Sequence, residues 1–247
     1  MPDLSSSLVP AITRLAVVDS TQRIAFALAE AGAADRTVVV ADTQTAGRGR
    51  RGRAWRDEGG ASVLASIVVR PRLSVGDLPK LSLATAVAVA EAVEAVAGVA
   101  ARLKWPNDVV VDGRKLAGIL LESRVGAAPL VVVGIGLNLR QGSFPPELAT
   151  TATSVWLESG RLVDRDTMLE ALLGAFDGWR ATLQTRGFAP IRARWLELAD
   201  TIGREVQVAS RSGVAVDLGP DGALLVRGDA GEIYPVVAGE LATAAGN

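Results

Sequence analysis

The chain has no cysteine and no histidine among its 247 residues. Without cysteine there are no disulfide bonds, thiol nucleophiles or thiolate metal sites, and without histidine the commonest general base and metal ligand is missing. The sequence therefore disfavours hydrolysis through a histidine base, zinc hydrolysis and thiol redox chemistry. Any catalysis must rest on Arg, Lys, Asp, Glu, backbone amides or a bound magnesium ion, a set that favours phosphoryl or nucleotidyl transfer.

Long apolar runs are missing as well. The apolar stretches are broken by Glu, Lys or Gly well short of the roughly 20 residues that a bilayer span needs, and the N-terminus has no basic region followed by an apolar run. We therefore expect a soluble, cytoplasmic protein. With 49% hydrophobic residues and a net charge of -1, the chain is long enough to bury a full core, and one large domain with a small appendage is expected.

Lysine is scarce, because only three of the 26 basic residues are lysine. Two of them, Lys104 and Lys115, lie in the stretch KWPNDVVVDGRKLAGIL. A lysine that persists where arginine dominates indicates a need for a compact ammonium group. The apolar residues after Lys115 predict a central strand on which Gly118 leaves room for a ligand. The alternative for Lys115 is an exposed cation after the Asp112-Gly113 turn.

A basic, glycine-rich segment runs from Gly47 to Arg56 and holds five arginines, three glycines and one tryptophan. The glycines let the backbone approach a phosphate closely while guanidinium groups surround it. Trp55 can offer an indole face to a purine or another ring, or can be a core residue. The segment could also be a solvated basic loop or a nucleic-acid patch. The mildly acidic chain has no second basic cluster with interleaved aromatics, which argues against nucleic acid.

The hydrophobic pattern predicts alternating strands and helices. RLAVVDST is typical of a strand entering a helix, capped by Asp19, Ser20 or Thr21, with Ile24, Leu28 and Ala31 on one face. Gly134 to Asn138 lacks the third glycine of a dinucleotide fingerprint and indicates a strand interior. The other predictions are strands at 37–42, 62–70, 102–104, 109–111, 115–122, 130–139 and within 205–237, a helix at 78–96, and helical structure at 164–199 anchored by Trp179 and Trp195.

Four segments occur in order: DST, QTAGRGRRGRAW, KWPNDVVVDGRKLAGILLE and GIGLNL. Together, over roughly residues 12 to 240, they resemble the biotin protein ligases, enzymes that attach biotin to carboxylase carrier proteins. The resemblance implies an α/β (α+β) catalytic domain of the class II aminoacyl-tRNA synthetase and biotin synthetase type, followed by a small SH3-like β-barrel. It implies a biotin- and ATP-binding domain at 1–199 and a barrel domain at 200–247.

The resemblance also implies a two-step reaction. The biotin carboxylate attacks the α-phosphate of ATP to give biotinyl-5'-adenylate and pyrophosphate. A lysine of a biotin carboxyl carrier protein domain, part of an acyl-CoA carboxylase, then attacks the mixed anhydride. The implied substrates are biotin and ATP with Mg²⁺, whose ligands the motifs leave undefined.

Site residues are carried over from the matching motifs. Lys115 corresponds to the catalytic lysine that bridges carboxylate and phosphate, assisted by Arg48 and Arg50. Gln22 stands where family members often have Asn. Implied biotin contacts are Ser20, Thr21, Gln22, Gln44, Arg48, Gly49, Arg50, Lys115 and Gly118. Implied ATP or adenylate contacts are Arg48, Arg50, Arg51, Arg53, Trp55, Lys104, Asn107, Asp108, Lys115 and Asn138.

Further expectations concern the loop and the partners. Five like charges around flexible glycines predict that the segment from Thr45 to Gly60 is mobile until an anion binds. Only about 14 residues precede the first predicted strand, so we expect a ligase that is not a DNA-binding repressor. We expect no nucleic-acid or membrane partner, and a monomer or weak homodimer.

Two alternatives remain open at this point. A lipoate or octanoate ligase would share the fold and the acyl-adenylate chemistry, although such enzymes typically lack the arginine-rich loop. A non-catalytic protein that binds nucleic acid through residues 48–56 is the other.

Overall fold

The computed structural model describes residues 11–57, 59–124, 129–208, 211–237, 239 and 242–243. Residues 1–10 of the predicted first domain and Glu58 of the predicted mobile loop lie outside these ranges. The strands are β1 (Ile12–Val18), β2 (Val38–Gln44), β3 (Ser62–Val69), β4 (Arg102–Lys104), β5 (Asp108–Val111), β6 (Arg114–Arg124), β7 (Leu130–Asn138), β8 (Glu205–Val208), β9 (Arg211–Leu218), β10 (Leu224–Arg227), β11 (Ile233–Val236) and β12 (Ala242–Thr243). The helices are α1 (Thr21–Glu30), α2 (Leu78–Ala97), α3 (Val155–Ser159), α4 (Arg165–Arg186) and α5 (Ala189–Leu198).

A mixed seven-stranded sheet forms the larger part of the molecule, in the order β1-β2-β3-β7-β6-β5-β4. Only β1 and β2 pair in parallel, while the other neighbours are antiparallel. Every residue of β3 is buried, as expected for a central strand covered on both faces. Asp112 and Gly113, with φ of 48° and 74°, form the tight hairpin turn predicted between β5 and β6.

Alternation along the strands separates two hydrophobic layers. In β2, Val38 and Val40 join the large core, whereas Val39 joins a smaller one, because successive side chains point to opposite faces. Helix α2 is buried over most of its circumference and packs between the sheet and helices α4 and α5. Helix α1 covers the other face, where Phe26 lies against Val68 and neighbouring side chains. The predicted long helix is confirmed.

The C-terminal strands form a second, five-stranded antiparallel sheet in the order β11-β10-β9-β8-β12. This arrangement agrees with the small SH3-like barrel expected from the sequence. Its apolar residues, among them Val206, Leu218 and Leu224, belong to the same core cluster as residues of the large sheet. The domain boundary between residues 199 and 200 stays a prediction.

Helix α1 differs in detail from its prediction. Ser20 occupies the N-cap position, but its side chain does not cap the helix, and the main-chain N–H of Thr21 donates to the Gln44 side chain instead. The buried apolar residues are Ala25, Phe26 and Ala29, whereas Ala31 is exposed beyond the last turn. Of the predicted face, Ile24 and Leu28 are half-buried and pack against the smaller core, and the buried surface extends to Thr21 and Gln22 at the start of the helix.

Two further segments differ from the predictions. The basic segment, expected to be neither helix nor strand, contains a short 3-10 turn at Arg50–Gly52 and a bridge between Arg48 and Ala54. The helical region 164–199 is two helices, because the chain takes φ 74° at Gly187. Trp195 is a fully buried anchor, whereas Trp179 is half-buried and donates its indole N–H to Glu91.

Candidate active site

A cavity of about 1060 Å³ lies above β6 and β7, enclosed by the start of α1, the end of β2 and the basic segment. It gathers residues that are far apart in the chain. The predicted site residues on its wall are Ser20, Thr21, Gln22, Gln44, Arg48, Gly49, Arg50, Arg53, Trp55, Lys104, Asn107, Asp108, Lys115, Gly118 and Asn138. Arg51 is the exception, because it lies in the 3-10 turn with φ 55° and does not line the cavity.

One half of the cavity is a buried cluster of neutral polar side chains, here called the amide cluster: Thr21, Gln22, Gln44 and Ser66. Gln44 Oε1 accepts hydrogen bonds from the main-chain N–H of Thr21 at 2.7 Å and from its hydroxyl at 3.0 Å. Ser66 Oγ donates to Gln22 Oε1 at 3.1 Å. Gln22 Nε2 donates to the carbonyl of Val132 at 3.1 Å. These bonds fix the two amide groups before any ligand arrives.

Ser20 adjoins this cluster and differs from its members. Ser20 is 3% exposed, and its hydroxyl has no hydrogen-bond partner within the described ranges. Buried polar atoms are nearly always paired. Since Ser20 lines the cavity, its hydroxyl is available to a polar group of a bound ligand.

Three strand glycines form the floor of the cavity. A Cβ atom at Gly134 would lie 2.6 Å from Oε1 of Gln22, and one at Gly136 would lie 2.5 Å from the indole of Trp55. A Cβ atom at Gly118 would lie 3.1 Å from side-chain atoms of both Lys115 and Trp55. Gly134 and Gly136 share one face of β7, so the amide cluster and Trp55 occupy adjacent positions along a single strand.

The other half is formed by the basic segment, which folds over the floor as a short hairpin. Gly49 N–H donates to the Arg53 carbonyl at 2.7 Å, and Trp55 N–H donates to the Gly47 carbonyl at 2.9 Å. Arg48 forms an ion pair with Glu122 at 3.0 Å. The Trp55 indole N–H is buried and has no partner in the described part of the chain.

Lys115 lies on the cavity wall beside Trp55 of the basic segment. Its Nζ is 2.7 Å from Asp108 Oδ1 and 5.7 Å from the centre of the Trp55 ring. The lysine main chain is held on both sides, since its N–H donates to the Thr151 carbonyl at 2.7 Å and its carbonyl accepts from Thr153 N–H at 2.9 Å. The ammonium is thus fixed at its base and directed into the cavity by Asp108.

Asn107 connects the basic segment to the sheet. Its Oδ1 accepts from Arg50 Nη1 at 2.9 Å, while its Nδ2 donates to the Ile119 carbonyl at 2.8 Å. Asn138, on the neighbouring strand, donates to the Thr153 carbonyl at 2.9 Å. Both amides therefore position backbone near Lys115. Lys104 also lines the cavity, at the start of the same turn.

Several lining residues were missed by the sequence reasoning: Asp57, Ser66, Gly134, Gly136 and Gln141. The two glycines were noticed only as strand interior. Ser66 lies 44 positions from its partner Gln22, so no local pattern could reveal their contact. Both carboxylate oxygens of Asp57 are buried without a hydrogen-bond partner among the described residues.

A magnesium ion was expected from the sequence. Among the described residues there is no group of three or more Asp, Glu, His or Cys side chains that could hold a metal ion. Magnesium usually binds through one or two carboxylates together with substrate phosphates and water. The carboxylates of Asp57 and Asp108 on the cavity wall fit that second mode.

The rim of the cavity carries an exposed ion pair between Arg56 and Glu147. The pKa of the Glu147 carboxyl lies below its ordinary value of 4.5, because its own main-chain N–H and then Arg56 stabilise the ionised form. Glu147 therefore stays ionised at neutral pH and holds the end of the basic segment against the rim.

Comparison with known proteins places this geometry in a family. The model for the biotin/lipoate A/B protein ligase family matches residues 15–138. The chain belongs to that family. It is 42% identical over 230 residues to the biotin--[acetyl-CoA-carboxylase] ligase of Paracoccus denitrificans, covering 88% of this chain and 94% of the relative.

Other relatives agree with this membership of the biotin/lipoate ligase family. The bifunctional ligase/repressor of Bacillus subtilis is 36% identical, over 87% of this chain and 69% of its own length. Among solved structures, the biotin protein ligase from Aquifex aeolicus in complex with biotin and ATP superposes with a TM-score of 0.84 at 30% identity, covering 95% of this chain and 98% of that one.

The length and composition of the helices decide whether any of them could span a membrane. Within the described residues, none of them combines the length and the apolar character that crossing a membrane requires.

Proposed function

We propose that this protein is an ATP-dependent biotin ligase, which activates biotin as biotinyl-5'-adenylate and transfers it to a lysine of a biotin carboxyl carrier protein domain. The observation that carries the proposal is the position of Lys115. Its ammonium shares one cavity with the neutral, hydrogen-bonded cluster and lies beside Trp55 of the arginine-rich segment, with Asp108 at 2.7 Å. This arrangement suits an acid that is activated by a nucleotide: a neutral pocket for its head, arginines for the phosphates, and a lysine for the reacting carboxylate.

The amide cluster suits the ureido ring of biotin, which presents both N–H donors and a carbonyl acceptor. Ser20 supplies the unpaired hydroxyl, and the fixed amides of Gln22 and Gln44 lie beside it. Glycine at 118 and 134 lets Lys115, Trp55 and Gln22 lie close to the strands that form the floor beneath the bicyclic ring. Preordered hydrogen-bonding groups reduce the entropy lost when the ligand binds.

In the first step an oxygen of the biotin carboxylate attacks the α-phosphorus of ATP, and the bond from that phosphorus to the pyrophosphate oxygen breaks. Negative charge develops on the phosphoryl oxygens, and the main demand is fixed positive charge. Lys115 is assigned to the carboxylate and the α-phosphate together, and Arg48 and Arg50 to the phosphates. Arg53 is also assigned to the phosphates, and Trp55 is assigned to the adenine side.

In the second step the amine of the carrier lysine attacks the carbonyl carbon of the mixed anhydride, and the carbon–oxygen bond to AMP breaks. The leaving group is again a phosphate anion, so the same cations stabilise it. Lys104, Asn107 and Asn138 are assigned to the nucleotide side. Mg²⁺ is expected to enter with ATP, with Asp108 and Asp57 as its protein oxygens, and it would neutralise phosphate charge.

The remaining predictions concern the domains, the oligomeric state, the location and DNA binding. A division into domains at residues 199 and 200, a monomer or weak homodimer, a cytoplasmic location and the absence of DNA binding all stay predictions. The ligase/repressor of Bacillus subtilis extends beyond the matched region, since the match covers 69% of its length. A gel shift with biotin-operator DNA tests the prediction that this chain does not bind DNA.

The deciding experiment offers biotin, lipoate and octanoate in parallel, each with ATP and magnesium, and measures pyrophosphate release and the bound adenylate by mass spectrometry. Adenylate formed with biotin alone supports the proposal. Adenylate formed with lipoate or octanoate instead would reassign the substrate within the family. If no acid were activated, the proposed chemistry would be wrong.

A further inference from the structure

The turn between β9 and β10 is one of the places where the C-terminal sheet contacts the catalytic part of the molecule. Gly222 in this turn has φ +89°, and a Cβ atom there would lie 3.0 Å from Leu83 of α2. Arg192 of α5 binds the carboxylate of Asp217 at 2.6 and 2.7 Å, next to the turn. The turn is therefore docked at Gly222 against α2 and held beside α5 by Arg192, although Pro220 and Asp221 at its tip are exposed.

Trp105 joins this turn to the large sheet. The residue is 3% exposed, and its indole N–H donates to the Gly222 carbonyl at 3.2 Å. Its main-chain N–H donates to the hydroxyl of Thr201 at 2.9 Å, a residue of the connection that leads into the C-terminal sheet. Both N–H groups of Trp105 are thus satisfied by the C-terminal part of the chain.

The residues that follow Trp105 reach the cavity within three positions. The Asn107 carbonyl accepts from Ile119 N–H at 2.9 Å, and its side chain accepts from Arg50 at 2.9 Å. Asp108 pairs with Lys115 at 2.7 Å. A continuous series of contacts therefore runs from the Gly222 turn through Trp105 to the arginine and lysine of the site.

We propose that Trp105 is a positioning residue through which the C-terminal sheet fixes the Asn107–Asp108 turn for the nucleotide-dependent step. The inference rests on the proposed assignment of Asn107 and Asp108 to the nucleotide side. Small displacements of a catalytic turn have large kinetic effects, and groups outside the site commonly supply the support. The amide cluster is held by α1, β2, β3 and carbonyls of β6 and β7, so the contacts to the ureido ring of biotin should not depend on Trp105.

The test replaces Trp105 by Phe, which keeps an aromatic ring and removes the indole N–H. We expect kcat/KM for ATP in adenylate formation to fall roughly three- to tenfold, the size of one net hydrogen bond. We expect the Kd for biotin, measured by calorimetry without ATP, to change less, because only the carboxylate contact of Lys115 depends on this turn. Exchange of the Ile119 amide should accelerate, because its acceptor is the Asn107 carbonyl.

Two further variants make the outcome decisive. Thr201→Val removes the acceptor for the Trp105 main-chain N–H and should show the same selective loss, including where Trp105→Phe fails to fold. Tyr234→Phe is the control, since it removes an exposed hydrogen bond of 3.1 Å to Ser212 within the C-terminal sheet and should change neither constant. Equal losses toward biotin and ATP, or unchanged Ile119 exchange in both Trp105 and Thr201 variants, would overturn the proposal.

The variant Asn107→Ala tests the proposed role of Trp105 separately from the assignment of Asn107 and Asp108 to the nucleotide side. If Asn107→Ala left the ATP constants unchanged, the nucleotide assignment of the turn would be wrong. If it impaired them while Trp105→Phe and Thr201→Val did not, the assignment would stand and the proposed role of Trp105 would fail.

Discussion

The two halves of the cavity are constructed in opposite ways. In the amide cluster, Thr21, Gln22 and Ser66 are 4%, 3% and 0% exposed and are joined to one another or to the strands beneath. In the basic segment the side chain of Arg48 is 54% exposed. One half is therefore fixed in advance, and the other is held by weaker contacts at the surface.

The difference follows from charge. Neutral amides and hydroxyls can satisfy one another inside a protein, so a buried polar cluster is stable without a ligand. Five arginines in ten residues cannot be buried together without counter-ions, because desolvation and mutual repulsion both oppose it. The protein can prepare the neutral half fully, whereas we expect the cationic half to be completed by the phosphates of the proposed substrate.

Lys115, beside Trp55 and Asp108 on the cavity wall, gives the largest expected effect. Lys115→Ala should lower the rate of adenylate formation about 10²- to 10³-fold, the loss typical of removing one fixed group that stabilises transition-state charge. Lys115→Arg keeps the charge but changes its shape and reach, and should recover only part of the rate. Rapid-quench measurement of pyrophosphate release checks both variants. Undiminished adenylate formation in Lys115→Arg would show that the assignment of Lys115 is wrong.

Gly134 and Gly136 provide a matched pair that separates the two halves. An added methyl group at Gly134 meets the Gln22 amide at 2.6 Å, and displacing that amide breaks its buried hydrogen bonds. Gly134→Ala should therefore weaken biotin binding about 10- to 100-fold.

An added methyl group at Gly136 would instead lie 2.5 Å from the indole of Trp55. Gly136→Ala should therefore raise the KM for ATP more than the Kd for biotin. Calorimetry with biotin and steady-state kinetics with ATP distinguish the two variants. Identical profiles for both would contradict the division of the cavity into two halves.

Amide exchange tests the basic segment directly. Gly49 and Trp55 donate their main-chain N–H groups only to carbonyls of the same segment in the described structure, so their protection reports whether it is closed. We expect roughly tenfold slower exchange at both amides when biotinyl-adenylate is bound, because the anion offsets the repulsion among the arginines. The amide of Thr21, bonded to Gln44, is the control and should change little. Equal protection of Gly49 and Trp55 with and without adenylate would refute the expected closure.

The regular elements were predictable from the sequence because each rests on a local pattern. The β3 strand, the long helix α2 and the Asp112-Gly113 turn follow from residue composition, apolar runs and turn chemistry alone. Helix α3 was missed, since five residues carry too little periodicity. The break at Gly187 was also missed, because the apolar pattern continues through it.

The candidate site was predictable in its motifs but not in its contacts. The arginine segment and the two lysines are recognisable by composition, whereas the contact of Ser66 with Gln22 and that of Trp55 with Gly136 depend on strand pairing across the sheet. The contact of Trp105 with Gly222 joins residues 117 positions apart. Such contacts are set by tertiary packing, which no window of sequence contains.

The smallest expected effect concerns Glu147, the exposed partner of Arg56 at the rim. Its carboxyl has a lowered pKa in the folded protein, so its contribution to stability is present above the ordinary value of 4.5 and is lost as the pH falls through the lower folded value. Because both side chains are more than half exposed, Glu147→Gln should barely change the melting temperature at neutral pH.

In the acid range the wild-type melting temperature should approach that of the variant as Glu147 becomes protonated. Melting curves of both proteins from pH 7 downward check this, and a large difference at neutral pH would mean that the rim pair holds the segment more firmly than surface contacts allow. That result would erase much of the contrast between the two halves, since the cationic half would then also be fixed before its ligand binds.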